Sequence, residues 1–225
     1  MTGTSHNNAA CGSENDTARI LQNDAARIIS RKVEFDGYHR LETVTCQPKS
    51  LRHDGYAAEM TREVMHCKKI AAVLLYAPES DRILLNQQFR LGAMLAGCDD
   101  PFLYEVAAGA VDEGESVEDA ARREALEETG AEIGDLEFVA KCYTSAGCLA
   151  EEFHLYIGRI DADAASGFFG LEDEGEEIKT HLLPVSEAFA LLDQGGIMNA
   201  PAALLMHWFA RHHNDIRQRW LDKDA

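Results

Sequence analysis

The stretch GAVDEGESVEDAARREALEETGA, residues 109–131, leaves the chain little freedom in what it folds into. Ser116 is a helix-starting residue, and Glu118 and Asp119 follow where the positive end of the helix dipole favours acid. Gly130 is a natural helix stop. The stretch therefore predicts a helix over 117–129, entered from a loop over Gly109–Glu115 and preceded by the strand FLYEVAA, residues 102–108. The helix carries a cost. Eight side chains of 109–131 are acidic, and three of them, Glu124, Glu127 and Glu128, fall within five residues. At about 100° per residue these three point to one side, where like charges repel. Two arrangements relieve that repulsion: a solvated acidic face salted by Arg122 and Arg123, or a hard divalent cation such as Mg²⁺ or Mn²⁺, which takes carboxylates, waters and substrate phosphates together.

The rest of the chain supplies a sheet for that helix. IAAVLLY (70–76) is a continuous apolar run, as in a strand buried on both faces, and RILLNQQF (82–89) follows after a turn. LEFVAKCY (136–143), FHLYIGRI (153–160) and IKTHLLPV (178–185) also read as strands. Helices are expected over 186–194, with Ser186 as cap, and over 201–213, with Pro201 in its first turn. Earlier, IISRKVEF, RLETVTCQ and YAAEMTREVM are separated by the turn pairs Asp36-Gly37 and Asp54-Gly55, which suggests a small antiparallel β-unit over 25–66. Residues 1–24 are polar and read as a tail, leaving 67–225 as the main domain. The class is α/β or α+β, a mixed sheet carrying helices. With 225 residues, 46% of them hydrophobic, one ordinary domain with a smaller appendage is expected.

A formal charge of −18 argues against nucleic acid or an anionic membrane as partner, although an anionic small molecule is admissible if cations lie between. The six cysteines form no Cys-x-x-Cys pair and no zinc-like cluster, which fits reduced thiols. No apolar run opens the chain, and none approaches the roughly 18 residues of a membrane span. A cytoplasmic protein is expected.

The spacing in 109–131 is more specific than its composition. Gly109, Glu115, Arg123, Glu124, Ala125, Glu127, Glu128, Gly130 and Ala131 fill every fixed place of G-x5-E-x7-R-E-U-x-E-E-x-G-U, the Nudix box. The chain is identified on this motif as similar to the Nudix hydrolases. The likeness extends over about residues 28–215, where QQFRLGA, YEVAAG, ASGFFGLEDEGEEIKTHLLP and ALLMHWFARHH resemble the branch that hydrolyses ADP-ribose and other nucleoside-diphosphate sugars.

What the resemblance implies is specific. The metal, Mg²⁺ with Mn²⁺ as the alternative, would be held by Glu124, Glu128, Glu176 and the backbone carbonyl of Ala108. Glu174 would be the base that activates water, though Glu172, Asp173 and Glu177 are its neighbours. Glu127 would be a ligand or adjoin one, and Arg123 would brace the carboxylates; with Glu174 these make the catalytic set. Arg90 and Arg62 match arginines that contact diphosphate and ribose, with Arg62 reaching from a second subunit as one option. Tyr38 would stack on the base or else be a core aromatic, and Glu105 and Glu151 would be polar contacts or structural. The branch also implies a homodimer that exchanges its β-units. One departure stands out: Ser145-Ala146-Gly147-Cys148 occupies the place where the branch carries Ser-Pro-Gly-Gly, which bears on substrate choice. Cys148 reads as an inert buried thiol or an oxidisable one. ADP-ribose, cleaved to AMP and ribose 5-phosphate, is the expected substrate, with GDP-mannose or another nucleotide sugar as the alternative. A catalytically silent nucleotide-binding module is the reading from a different class, and the intact glutamate set speaks against it.

Overall fold

The computed structural model describes residues 23–161, 167–170 and 175–223. The expected tail therefore lies almost wholly outside the described residues, as do Glu172, Asp173 and Glu174. The chain divides into two compact units, one ending at Lys68 and including Tyr143–Glu152, the other formed by Lys69–Cys142 and Phe153–Ala225.

The first unit is an antiparallel arrangement of β1 (Ala26–Asp36), β2 (Arg40–Pro48) and the first part of β3 (Met60–Ala77). The Asp36-Gly37 turn closes β1 on β2, with Asp36 opposite Arg40. The Asp54-Gly55 pair lies in the β2–β3 connection, where Gly55 takes φ +111°, a conformation L side chains rarely adopt. The Ser50 N–H donates to the Gly55 carbonyl at 2.9 Å and pins that loop. Near the start of β2, Glu42 is buried and accepts from Arg31, Arg40 and His66. Much of the apolar surface of this unit stays in solvent: Ile29, Val33 and Phe35 are all exposed.

The second unit is built on the later part of β3. Its residues alternate between two cores, as a strand of period two must when it is covered on both faces. Ala72, Leu74 and Tyr76 join Leu155, Ile157, Met206, Phe209 and Trp220 in one cluster. Ala71, Val73, Leu75 and Ala77 join Ala120, Ala121, Ala125 and Tyr156 in the other. The first cluster is roofed by α3 (Val185–Asp193) and α4 (Ala200–Asp222), the second by α2 (Val117–Thr129). β4 (Arg82–Phe89) pairs antiparallel with β3 and with β10 (Ile178–Pro184). β7 (Leu136–Cys142) pairs antiparallel with β8 (Leu149–Arg159). The short strand β9 (Phe168–Phe169) adds to β10.

Several boundaries differ from expectation. The single strand expected over 102–108 is two, β5 (Phe102–Glu105) on β4 and β6 (Ala107–Ala110) on β3, because the chain changes partner at the buried Val106. A short helix, α1 (Leu91–Leu95), follows β4; it has no side-chain cap and no buried residue, so it left no periodic signal. α3 begins at Val185 with Pro184 in the cap position, so Ser186 is not its cap. α4 starts from Asn199, whose Oδ1 accepts the Ala202 N–H at 3.1 Å, and continues past residue 213 because Ile216 and Trp220 carry its buried stripe onward. Among the described residues no helix is long and apolar enough to cross a membrane, and no disulfide joins Cys46, Cys67, Cys98, Cys142 and Cys148.

Candidate active site

α2 runs from Val117 to Thr129 as its cap residues dictate: the Ser116 hydroxyl accepts the Asp119 N–H at 3.1 Å, and Gly130 closes the helix in the left-handed region at φ +68°. Its inner face is made of Ala120, Ala121 and Ala125, all fully buried. Residues this small let the helix lie close against β6, which brings the carboxylates one turn apart down onto the strand. An alanine Cβ placed on Gly109 would lie 2.0 Å from Glu124 Oε1 and 2.3 Å from Oε2. Glu124 therefore rests directly over the Gly109 backbone, which explains why the box opens on glycine. Glu128 is 5% exposed, and its Oε2 accepts from the Ala108 N–H at 3.1 Å and from Asn86 Nδ2 at 2.7 Å.

Burial raises the pKa of both carboxyls, Glu128 well above the ordinary range; the charges of Glu127 and Glu176 push Glu124 the same way, and those of Glu124 and Glu176 push Glu128. The opposing contacts, Arg123 for Glu124 and Ala108 and Arg90 for Glu128, do not cancel this. One buried carboxylate, Glu128, and one partly buried, Glu124, with a third acid acting on both, fit a divalent cation, which adds positive charge beyond the single Arg123 contact to Glu124. The lower charge near the helix exit is handled differently. Arg123 donates through Nε and Nη2 to Glu115 at 2.9 and 3.0 Å, through Nη1 to Glu124 at 2.6 Å and Glu127 at 3.2 Å, and through Nη2 to the Ala110 carbonyl at 2.9 Å. It ties the loop to the helix. Its guanidinium stands on Glu124 and Glu127, and no three His, Cys, Asp or Glu side chains among the described residues are already gathered as a ligand set. Salting by Arg123 and the exposed position of Glu127 correspond to the solvated-face arrangement for that part of the helix; Glu124, also held by Arg123, is partly buried, and Glu128 is buried.

Arg90 and Glu105, expected as separate contacts, form one bidentate pair: Arg90 Nε to Glu105 Oε1 at 2.8 Å and Nη2 to Oε2 at 2.6 Å. Glu105 is buried, and its contact raises the Arg90 pKa further. The Arg90 side chain remains 41% exposed. Glu176 acts on Arg90, Glu124 and Glu128 through its charge. Gly170, at φ +103°, allows the close approach of its backbone to Glu176: a Cβ there would lie 2.8 Å from the Glu176 carbonyl.

Tyr38, Arg62 and Glu151 belong to the other unit. Tyr38 is 94% exposed and edge-on to His39, so it is not a core aromatic. Arg62 is exposed, opposite Val44, and donates to the Thr61 carbonyl at 2.7 Å. Glu151 accepts from Thr144 Oγ1 at 2.6 Å. Cys148 is exposed, its sulfur 3.4 Å from Ser145 Oγ, so the buried-thiol expectation does not hold. Glu174 lies outside the described residues. Asn86 was not among the expected site residues; its one sequence signal was a polar residue inside the apolar strand RILLNQQF.

The comparisons with known proteins show the family and the fold. The NUDIX domain profile matches residues 66–205. An ADP-ribose pyrophosphatase of Escherichia coli (strain K12) is 33% identical over 193 residues, covering 86% of this chain and 91% of that protein. A GDP-mannose pyrophosphatase of Cronobacter sakazakii is 37% identical over 180 residues, covering 80% and 92%. A crystal structure described as an ADP compounds hydrolase superposes with a TM-score of 0.62 at 18% identity, covering 89% and 96%, and shares the fold. With that profile covering most of the chain and relatives of this identity spanning nearly all of it, the chain belongs to the Nudix hydrolase family.

Proposed function

We propose that this chain hydrolyses the diphosphate bond of ADP-ribose, giving AMP and ribose 5-phosphate, with Mg²⁺ or Mn²⁺ as cofactor. The observation that carries the proposal is the pair Glu124 and Glu128 of α2, laid against β6 with Glu128 buried and Glu124 partly buried, where burial and neighbouring acids raise both pKa values despite Arg123 and Arg90. Nudix hydrolases generally use divalent cations. Glu124, Glu128, Glu176 and the Ala108 carbonyl are the groups that would hold one. When bound, such a cation polarises phosphorus, lowers the pKa of bound water and neutralises charge on the leaving phosphate. The chain's own residues do the remainder. Arg123 fixes the angle of Glu124 and Glu127 through its shared contacts with Glu115 and Ala110. Arg90, aligned by Glu105, offers a rigid fork suited to phosphate oxygens. Glu174 is the proposed acceptor of the proton from the attacking water.

Tyr38, Arg62 and Glu151 are proposed as contacts to base and ribose, supplied through a homodimer in which β-units are exchanged. The exposed Ile29, Val33 and Phe35 support such an interface, since apolar strand surface of this kind is ordinarily covered. The cytoplasm is the proposed location, in keeping with the free thiols of the five cysteines among the described residues.

A second reading, GDP-mannose or another nucleotide sugar as substrate, is favoured by one feature, the Ser145-Ala146-Gly147-Cys148 loop that departs from the ADP-ribose pattern. Initial rates on ADP-ribose, ADP-glucose, GDP-mannose and NADH with Mg²⁺ decide between them. The proposal expects the highest kcat/KM for ADP-ribose, and ADP-ribose ranking last would reject it.

A further inference from the structure

We propose that Asn86 is a positioning residue that sets the carboxylate of Glu128 for cation binding; the inference rests on the reading of Glu128 as a metal ligand. Asn86 lies in β4 and is 1% exposed. Its neighbours across the sheet are Glu105 on β5 and Thr180 on β10, both buried, so three polar side chains form a row on one face. On that face β4 also carries Leu84, part of the core beneath α2. Nothing in the fold asks for an amide there. The orientation of the amide is decided by chemistry: a carboxylate only accepts, so the group 2.7 Å from Glu128 Oε2 must be the NH₂. The carbonyl, Oδ1, is then left buried with no partner among the described residues. Such a group costs about 1–3 kcal/mol, and a valine in this strand would avoid the cost while suiting β structure.

The compensating gain lies at Glu128. Asn86 Nδ2 and the Ala108 N–H both donate to Oε2, and no donor is recorded on Oε1 among the described residues. Two donors on one oxygen hold the carboxylate plane and leave the other oxygen for a ligand. Groups that orient metal ligands in this way typically change metal affinity about 10–100-fold when removed. In the same row Glu105, which holds Arg90, lies opposite Asn86 across the sheet.

The test is Mn²⁺ binding to the full-length protein without substrate, followed by electron paramagnetic resonance at one fixed pH, for Asn86→Val, Asn86→Ala, Glu128→Gln and the double variant N86V/E128Q. Thermal unfolding without metal is recorded in parallel. N86V is expected to bind Mn²⁺ at least about 10-fold more weakly while its Tm stays level or rises, because the orphaned Oδ1 is gone. E128Q is expected to weaken binding at least as much, and adding N86V to it should cost little more, since Asn86 acts through Glu128. Wild-type Mn²⁺ affinity in N86V and N86A, with affinity lost in E128Q, would overturn the role of Asn86 and leave the metal reading standing. Wild-type affinity in E128Q would overturn the metal reading itself. Failure of both N86V and N86A to fold would make Asn86 a structural residue and would also overturn the proposal.

Discussion

Replacing Gly109 by alanine separates function from stability within the Nudix box. The new Cβ would stand 2.0 Å from Glu124 Oε1, where ordinary contact begins at 3.4 Å, so the carboxylate must retreat by about 1.4 Å, the difference of the two. Retreat is sterically cheap, because the obstacle is the end of a flexible side chain, but Arg123 holds that end at 2.6 Å while binding Ala110 at 2.9 Å. Glu124 must therefore leave its guanidinium partner or drag it. Gly109 itself is outside the left-handed region, so the backbone accepts alanine, and the loss of unfolded-state freedom favours the variant by about 0.4–1 kcal/mol. Displacing a reacting or metal-binding group by about 1 Å costs about 100-fold in rate, near 2.7 kcal/mol of activation free energy. G109A is thus expected to keep or slightly raise its Tm while kcat/KM for ADP-ribose with Mg²⁺ falls about 100-fold. Initial rates and calorimetric unfolding on the same preparation measure both. A variant with kcat/KM within twofold of the wild type would refute the claim that Glu124 acts from its place over Gly109, and a large fall in Tm would show that β6 was damaged instead.

Two further outcomes concern the parts that support the site. Burial alone would raise the Glu42 carboxyl, but Arg31, His66 and Arg40 outweigh it and hold the pKa below the ordinary value of 4.5. Its stabilisation is therefore complete above about pH 4.5 and is lost as pH falls through the lower folded value. Glu42→Gln should cost about 1.5–3 kcal/mol in urea unfolding at neutral pH, with the two curves converging in acid; a constant difference down to pH 3 would contradict the assignment. Asp81, at φ +55°, accepts from Tyr76 at 2.8 Å and His213 at 2.6 Å and so fastens α4 to the β3–β4 turn. Asp81→Asn tolerates the same backbone but loses the charge; it should lower Tm by several degrees and leave kcat unchanged, and an equal fall in kcat would place the clamp in the catalytic machinery.

Legibility in the sequence followed locality. The α2 boundaries were readable to the residue because Ser116 and Gly130 are local chemistry that tertiary packing does not override. The double-sided burial of β3 was readable because seven consecutive apolar residues, Ile70–Tyr76, admit few other homes. What stayed hidden depended on distant partners. Val106 turns one expected strand into two because β4 and β3 offer separate edges, which no pattern within 102–108 reveals. Arg90 and Glu105 were each visible, but their pairing comes from β4 lying beside β5. Asn86 was passed over because a single polar residue in an apolar strand acquires meaning only when Glu128 arrives from a helix 42 positions away.

The central claim is that carboxylates gathered by α2 and β6 work through a divalent cation to split a diphosphate. Its most direct measurement is product formation from ADP-ribose by exhaustively chelated protein, before and after Mg²⁺ is restored. The account predicts no AMP or ribose 5-phosphate without the cation and full recovery of both with it; undiminished turnover in the chelated protein would contradict it.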